Sequence, residues 1–217
     1  MDYHYEAKSI EGFVQQLAVS YVAHGYWFYV TGVIPEGKDP HDVDEKLLAK
    51  YRIDMSKFTR ARRKAAGLAN VQYLRHGRFF ALIATRGVHD FFSPVEEGGE
   101  GGNIRDCREV PIKFASYAIS YRGGHAHVRI ELETFREVKA YFSDHACHWS
   151  AERLGRALGA LPFEPYSPVR SQLFVLLRLV NRKRKVAQLE LVPSSCLRLR
   201  RRILKPFGRL EPESAAA

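Results

Sequence analysis

Two histidines, His125 and His127, flank one alanine in the stretch Tyr121-Arg-Gly-Gly-His-Ala-His-Val-Arg-Ile130. On a strand, residues i and i+2 share a face and stand roughly 6.5–7 Å apart. Two imidazoles at that spacing can tilt onto one divalent ion, and they serve equally as two polar positions opening a strand. The Gly123-Gly124 pair tolerates the positive φ values of a two-residue hairpin turn, so residues 110–122 and 125–133 are predicted to pair antiparallel. Alternation then gives His125, His127, Arg129, Glu131 and Glu133 one face, beside Ser116, Ala118, Ser120 and Arg122. The opposite face carries Val128, Ile130, Tyr117, Ile119 and Tyr121 and is expected to be core. The histidine face is expected to be an open polar shelf.

The histidine pair resembles the HUH motif of single-strand DNA nucleases: rolling-circle replication initiators, relaxases and single-tyrosine transposases of plasmids and mobile elements. Tyr29-Val-Thr-Gly32 is similar to the aromatic and threonine-rich early strand of that superfamily, and Tyr166-Ser-Pro-Val-Arg170 to its later tyrosine motif. Here alanine replaces the usual bulkier hydrophobe between the histidines, and Arg170 stands where the initiators carry lysine. The resemblance implies Mg²⁺ or Mn²⁺ held by His125 and His127. It also implies Tyr166 as the nucleophile on a scissile phosphate, with Arg129 or Arg170 steadying the charge. A tyrosine with pKa near 10 needs such help to attack a phosphodiester. Asp144, His145, Cys147 and His148 form a second set of ligand types, for zinc or for a histidine cluster near a helix end.

Charge gives the second line of argument. The 217 residues carry a formal net charge of +10, and residues 166–210 hold twelve Lys/Arg against the single acid Glu190. Eleven of these cations are expected to touch nucleic acid: Arg170, Arg178, Arg182, Lys183, Arg184, Lys185, Arg198, Arg200, Arg201, Arg202 and Lys205. A second basic block supplies Lys57, Arg60, Arg63 and Lys64 on a predicted helix. Clusters of this density match a polyphosphate, because each neutralised phosphate releases condensed counterions. No apolar run is long enough to span a membrane, and the first residues, MDYHYEAKSIEGF, lack the apolar core of a secretory signal. Three scattered cysteines argue against a disulfide framework and for a reducing, cytoplasmic setting.

Around these residues the chain predicts a helix over 9–24, ended by Gly25, and an aromatic central strand over 26–34. Helices follow over 41–51 and 55–67, then a hairpin of 70–74 with 78–85 and a glycine-rich loop over 93–103. Beyond the 110–133 hairpin, helices are predicted at 134–144, 150–160 and 168–180. The stretch 189–204 fits strand then helix, or a helical tail. The aromatics Tyr26, Trp27, Phe28, Tyr29, Phe79 and Phe80 are expected mostly in the core, although bases stack on such residues in open sheets.

The order implies an α+β fold: a mainly antiparallel sheet of about five strands with helices on one side, and a basic C-terminal helical portion. The domains are expected at 1–165 and 166–210, with 211–217 a disordered tail. The function expected is nucleic-acid binding, single-stranded DNA ahead of RNA, with HUH-type nicking or strand transfer implied by the resemblance. The alternative is a non-catalytic DNA- or RNA-binding protein, a ribonucleoprotein or accessory subunit, gripping phosphates through the basic region.

Overall fold

A computed structural model describes residues 3–93 and 103–207. All but the ends of the predicted loop 93–103, and the whole predicted tail 211–217, lie outside the described residues. Strand β1 (Tyr26–Val33) is interior in a four-stranded antiparallel sheet, as its aromatic and β-branched residues predict. The order is β2 (Val71–His76), β3 (Phe79–Thr85), β1 and β4 (Arg105–Asp106). On one face Val71 and Tyr73 pack with Leu82, Ala84 and Phe91, and Leu47, Leu48 and Tyr51 of helix α2 (Pro40–Tyr51) close over them. On the other face Phe13 meets Phe79 edge-on at 5.7 Å. Each such fully buried side chain contributes about 1.5–3 kcal/mol of transfer free energy.

Phe13 belongs to α1 (Ile10–Gln15), capped by the Ser9 hydroxyl accepting from the Gly12 N–H at 3.0 Å. The predicted helix 9–24 is present, but its turns widen and then tighten: Gln16–Tyr21 is π-helical and Val22–His24 is a 3₁₀ turn, ended by Gly25 at φ 93°. Helix α3 (Lys57–Ala65) starts where predicted, with Ser56 Oγ accepting from the Thr59 N–H at 3.1 Å. It buries none of its residues.

A three-stranded sheet follows, ordered β5 (Ile112–Phe114), β6 (Tyr117–Arg122) and β7 (His125–Ile130). Gly123 and Gly124 turn β6 into β7 at φ 57° and 82°, as their freedom from a Cβ allows. The strand predicted across 110–122 is broken by Ala115 and Ser116, at φ 44° and 66°, and β5 folds back on β6. The α+β class with antiparallel strands holds, but the strands form sheets of four and three instead of one of about five. Helices lie on both faces of the larger sheet, because β2 is buried on both sides, between α1 and α2.

Glu131 links β7 to α4 (Leu132–His145). Its Oε2 accepts from the Glu133 and Thr134 N–H groups at 2.7 and 3.3 Å, and Lys113 Nζ reaches its Oε1 at 2.7 Å. The ammonium of Lys113 first, and then the two N–H donors, hold this carboxyl at about 2. A depressed carboxylate stabilises fully above its unfolded pKa of about 4.3 and loses that contribution as pH falls through the folded value. The thermal midpoint is therefore expected to drop between pH of about 4.5 and 2, and Glu131→Gln to flatten that limb. A variant whose midpoint falls as steeply as the wild type would show that this cap is not the titrating group.

Helix α5 (Ala151–Gly159) is capped by Ser150, and α6 (Ser167–Val186) buries Val169, Leu173, Leu176, Leu177 and Val180 as one stripe. Over the described residues 187–207 the chain is neither strand nor helical tail. Asn181 pins Val192 with two 2.8 Å hydrogen bonds, and only a 3₁₀ turn, Ser194–Cys196, interrupts the irregular run. The basic region is thus helical only through Val186.

Two compact units divide the chain: Met1–Ile112 with Ser120–Ala126 and Leu204–Ala217, and Lys113–Ile119 with His127–Ile203. Helix α6 falls in the second unit with α4, against which it packs, so composition does not set 166–210 apart. Among the described residues no helix is long and apolar enough to cross a membrane.

Candidate nucleic-acid interface

The histidine pair sits at the start of β7, with His125 exposed and His127 and Arg129 half-buried. The open shelf expected beside it is absent: Ala118 and Ser120 are each only 3% exposed. The reason is position, since β6 is the middle strand of its sheet and is covered on both faces. Among the described residues no three His, Cys, Asp or Glu side chains gather to hold a metal. Glu131, four residues from His127, is already engaged by Lys113 and the first turn of α4. The side chains present therefore do not fit a three-ligand Mg²⁺ or Mn²⁺ centre, and no nicking step follows from them.

Tyr166 is half-buried immediately before α6, with the Arg201 guanidinium over its ring at 4.9 Å. Pro168 occupies the first turn of that helix, where its missing N–H costs nothing. Arg170 donates its backbone N–H to the Tyr166 carbonyl at 2.9 Å, and its side chain is exposed. The other ligand cluster is aromatic packing: His145 lies 4.5 Å from the Tyr141 ring and 4.3 Å from Trp149, with Arg153 over Trp149 at 3.9 Å.

The cations predicted to bind phosphate divide into free and committed groups. Arg178, Arg182 and Lys185 are exposed on one side of α6, opposite its apolar stripe. Lys183 is exposed too, its Nζ donating to the Ser143 carbonyl at 3.0 Å. Arg184 is a correction to the sequence reading. It is 3% exposed, and its guanidinium donates to the carbonyls of Ala146, Trp149 and Glu190 at 2.8, 2.7 and 2.5 Å. It faces inward because its position continues the apolar stripe of Leu173, Leu177 and Val180. Arg198 pairs with Glu164 at 3.1 Å and donates to the Phe163 carbonyl, and Arg202 donates its backbone N–H to the same Glu164 carboxylate. Arg200 and Lys205 are exposed.

On α3, Lys57 and Lys64 are exposed, while Arg63 donates to the Ala69 carbonyl at 3.0 Å and Arg60 to that of Met55. Lys57, Arg60, Ala61 and Lys64 fall on one helix face and line an open cleft of about 580 Å³ within the first unit. The π-helical segment supplies Gln16, Ser20 and Tyr21 to the same cleft. Its remaining lining includes Tyr3, Tyr26, Asn70, Gln72 and Thr85 from the sheet side.

These polar groups are mostly bonded to each other. Tyr3 donates to Gln72 Oε1 at 2.8 Å, Gln72 Nε2 to the Tyr26 hydroxyl at 3.3 Å, and Asn70 Nδ2 to the Arg60 carbonyl at 2.9 Å. Burial above all pushes the Tyr3 and Tyr21 hydroxyls up in pKa, so both stay protonated. One atom is left over: the buried Oδ1 of Asn70 has no hydrogen-bond partner. The sequence reading found the basic face of this cleft but not its floor. Asn70 and Gln72 alternate with apolar Val71 and Tyr73, and that period-two polar pair was the available signal. No protein-family model, no curated protein and no solved structure matches the chain. The likeness to HUH nucleases therefore rests on its short motifs alone.

Proposed function

We propose that the protein binds nucleic acid, single strands ahead of duplex, as a non-catalytic DNA- or RNA-binding protein. The observation that carries this is the cationic stripe of α6. Arg178, Arg182 and Lys185 are exposed on one side of a helix that contains no acid along its twenty residues. Among the described residues none of the three is paired with a carboxylate, so their charge is not spent within the fold. Neighbouring side chains one turn apart stand about 5–6 Å from each other at Cβ. A row of that kind follows a phosphate chain, and the release of condensed counterions drives the association.

The test is the salt dependence of binding to a labelled single-stranded DNA, an RNA of the same sequence and a duplex. Wild type is expected to lose affinity linearly in log–log form as salt rises. The exposed triple variant Arg178→Ala/Arg182→Ala/Lys185→Ala is expected to lower the slope by about 2 on single strands, from about 0.7 per phosphate contact. Absence of binding at about 50 mM salt, or a triple variant with the wild-type slope, would overturn the reading.

A further inference from the structure

We infer that the cleft beside α3 is a site for one unpaired nucleotide, its phosphate on the Lys57–Lys64 rim and its base edge at Asn70. The inference deepens the nucleic-acid reading and takes its phosphate partner from it, but the cleft lies in the first unit and shares no residue with the α6 stripe. Three observations converge on that ligand.

The first is charge. Lys57, Arg60 and Lys64 line the cleft against a single lining acid, Asp54, among the described residues. Such a rim favours a compact anion, and a phosphate meets it with several acceptor oxygens at once. The second is the orphaned acceptor. Asn70 is 2% exposed, its Nδ2 is bonded to the Arg60 carbonyl, and its Oδ1 has no partner. Buried polar atoms are nearly always satisfied, so an exception in the wall of a cleft points to a donor brought by a ligand. Base edges carry such donors in their amino and ring N–H groups. The neighbouring Gln72 amide is already bonded at both ends, by Tyr3 and Tyr26, so any reading of the base falls to Asn70.

The third is shape. The half-buried Tyr26 ring lines the cleft and offers a flat face on which a base can stack. The volume of about 580 Å³ lies in the range of about 300–1,000 Å³ typical of small-molecule sites. The π-helical turn Gln16–Tyr21 also lines the cleft, and π insertions within helices are frequent at functional sites. A paired base cannot enter, because its edge is already occupied by its complement.

The experiment compares octamers of dA, dC and dT with an abasic octamer of the same charge, on the full chain at one salt concentration. Ala61→Trp and Ser20→Trp obstruct the cleft from two different helices at exposed positions and leave every cation in place. Wild type is expected to prefer a base-bearing octamer about tenfold over the abasic one, the scale of one stacked base. Both tryptophan variants are expected to lose that preference and keep the abasic affinity, with unchanged thermal midpoints. Equal binding of abasic and base-bearing strands by wild type overturns the cleft and leaves the nucleic-acid reading standing. So does a preference that survives both variants. The 5′-mononucleotides AMP, CMP and TMP serve as competitors. Competition by one of them at octamer concentrations identifies a free nucleotide as the ligand, and competition by octamers alone identifies a strand. Mononucleotide binding without octamer binding removes the nucleic-acid reading and keeps the cleft, and binding of neither removes both.

Discussion

Asp44→Ala is expected to destabilise the first unit by roughly 3–5 kcal/mol, the cost of removing one partner of a buried ion pair. Asp44 lies on α2 with no exposed surface and faces β2. Its Oδ1 accepts from the Tyr73 hydroxyl at 2.5 Å, and Arg75 Nε donates to both of its oxygens at 3.0 Å. The Arg75 side chain is 4% exposed, and its Nη1 donates to the Gly77 carbonyl at 2.7 Å with Glu6 a further 3.4 Å away. Burial and the nearby carboxylate keep the Tyr73 hydroxyl protonated, so it remains a donor in search of an acceptor once Asp44 is gone. Two donors, one of them charged, would then sit in an interior where water does not replace the lost oxygens. A whole domain is stable by only about 5–15 kcal/mol, so a loss of this size is readily measured by urea denaturation. The paired change Asp44→Leu/Arg75→Met removes both charges and is expected to cost less than Asp44→Ala alone. A single variant that loses under about 1 kcal/mol would mean that the network is not holding α2 to the sheet.

Local signals carried much of the fold. Gly123-Gly124 announced a tight turn, and it is found there. Of Asp54 and Ser56, either of which could open the helix expected over 55–67, Ser56 is the cap, and Ser150 caps the helix expected over 150–160. The break in the 110–122 strand was hidden because Ala115 and Ser116 adopt positive φ without a residue type that favours it. Nothing marked the π segment either. Ile10, Phe13, Val14, Leu17 and Tyr21 fit the spacing of an ordinary helix, and that spacing does not distinguish i→i+4 from i→i+5 bonding.

The candidate site divides the same way. Periodicity alone placed Lys57, Arg60, Arg63 and Lys64 on one helix face, of which Arg63 turns to the Ala69 carbonyl and does not line the cleft. The floor beneath them comes from a strand pair and from the chain start, so only tertiary structure brings Asn70 and Tyr3 to that helix. For the histidines, alternation states which residues share a face but not what lies over it. Alternation therefore gave no sign that Ala118 and Ser120 are each only 3% exposed.

Arg184→Ala is the sharper test of what the basic run is for. It is expected to destabilise the second unit by roughly 3–5 kcal/mol, although the residue lies among solvent-facing cations in sequence. Ala146 and Trp149 follow the end of α4, where helix carbonyls lack intrahelical donors. The Arg184 guanidinium supplies those donors from α6 at 2.8 and 2.7 Å and reaches Glu190 at 2.5 Å, fastening the chain beyond α6 as well. A cation at a helix C-terminus also opposes the negative end of the helix dipole. Truncation removes the donor of three carbonyls at once, that of Ala146 in a fully buried bond. Lysine is not expected to rescue it, because an ammonium cannot span three carbonyls with the planar fork that guanidinium provides. Arg182→Ala, two residues earlier and exposed, is expected to change stability by less than about 0.5 kcal/mol while weakening strand binding. Denaturation and binding measured on both variants thus separate two roles within one run of like charges. An Arg184→Ala protein with the wild-type unfolding midpoint and weakened nucleic-acid binding would reverse the assignment, making Arg184 part of the phosphate grip.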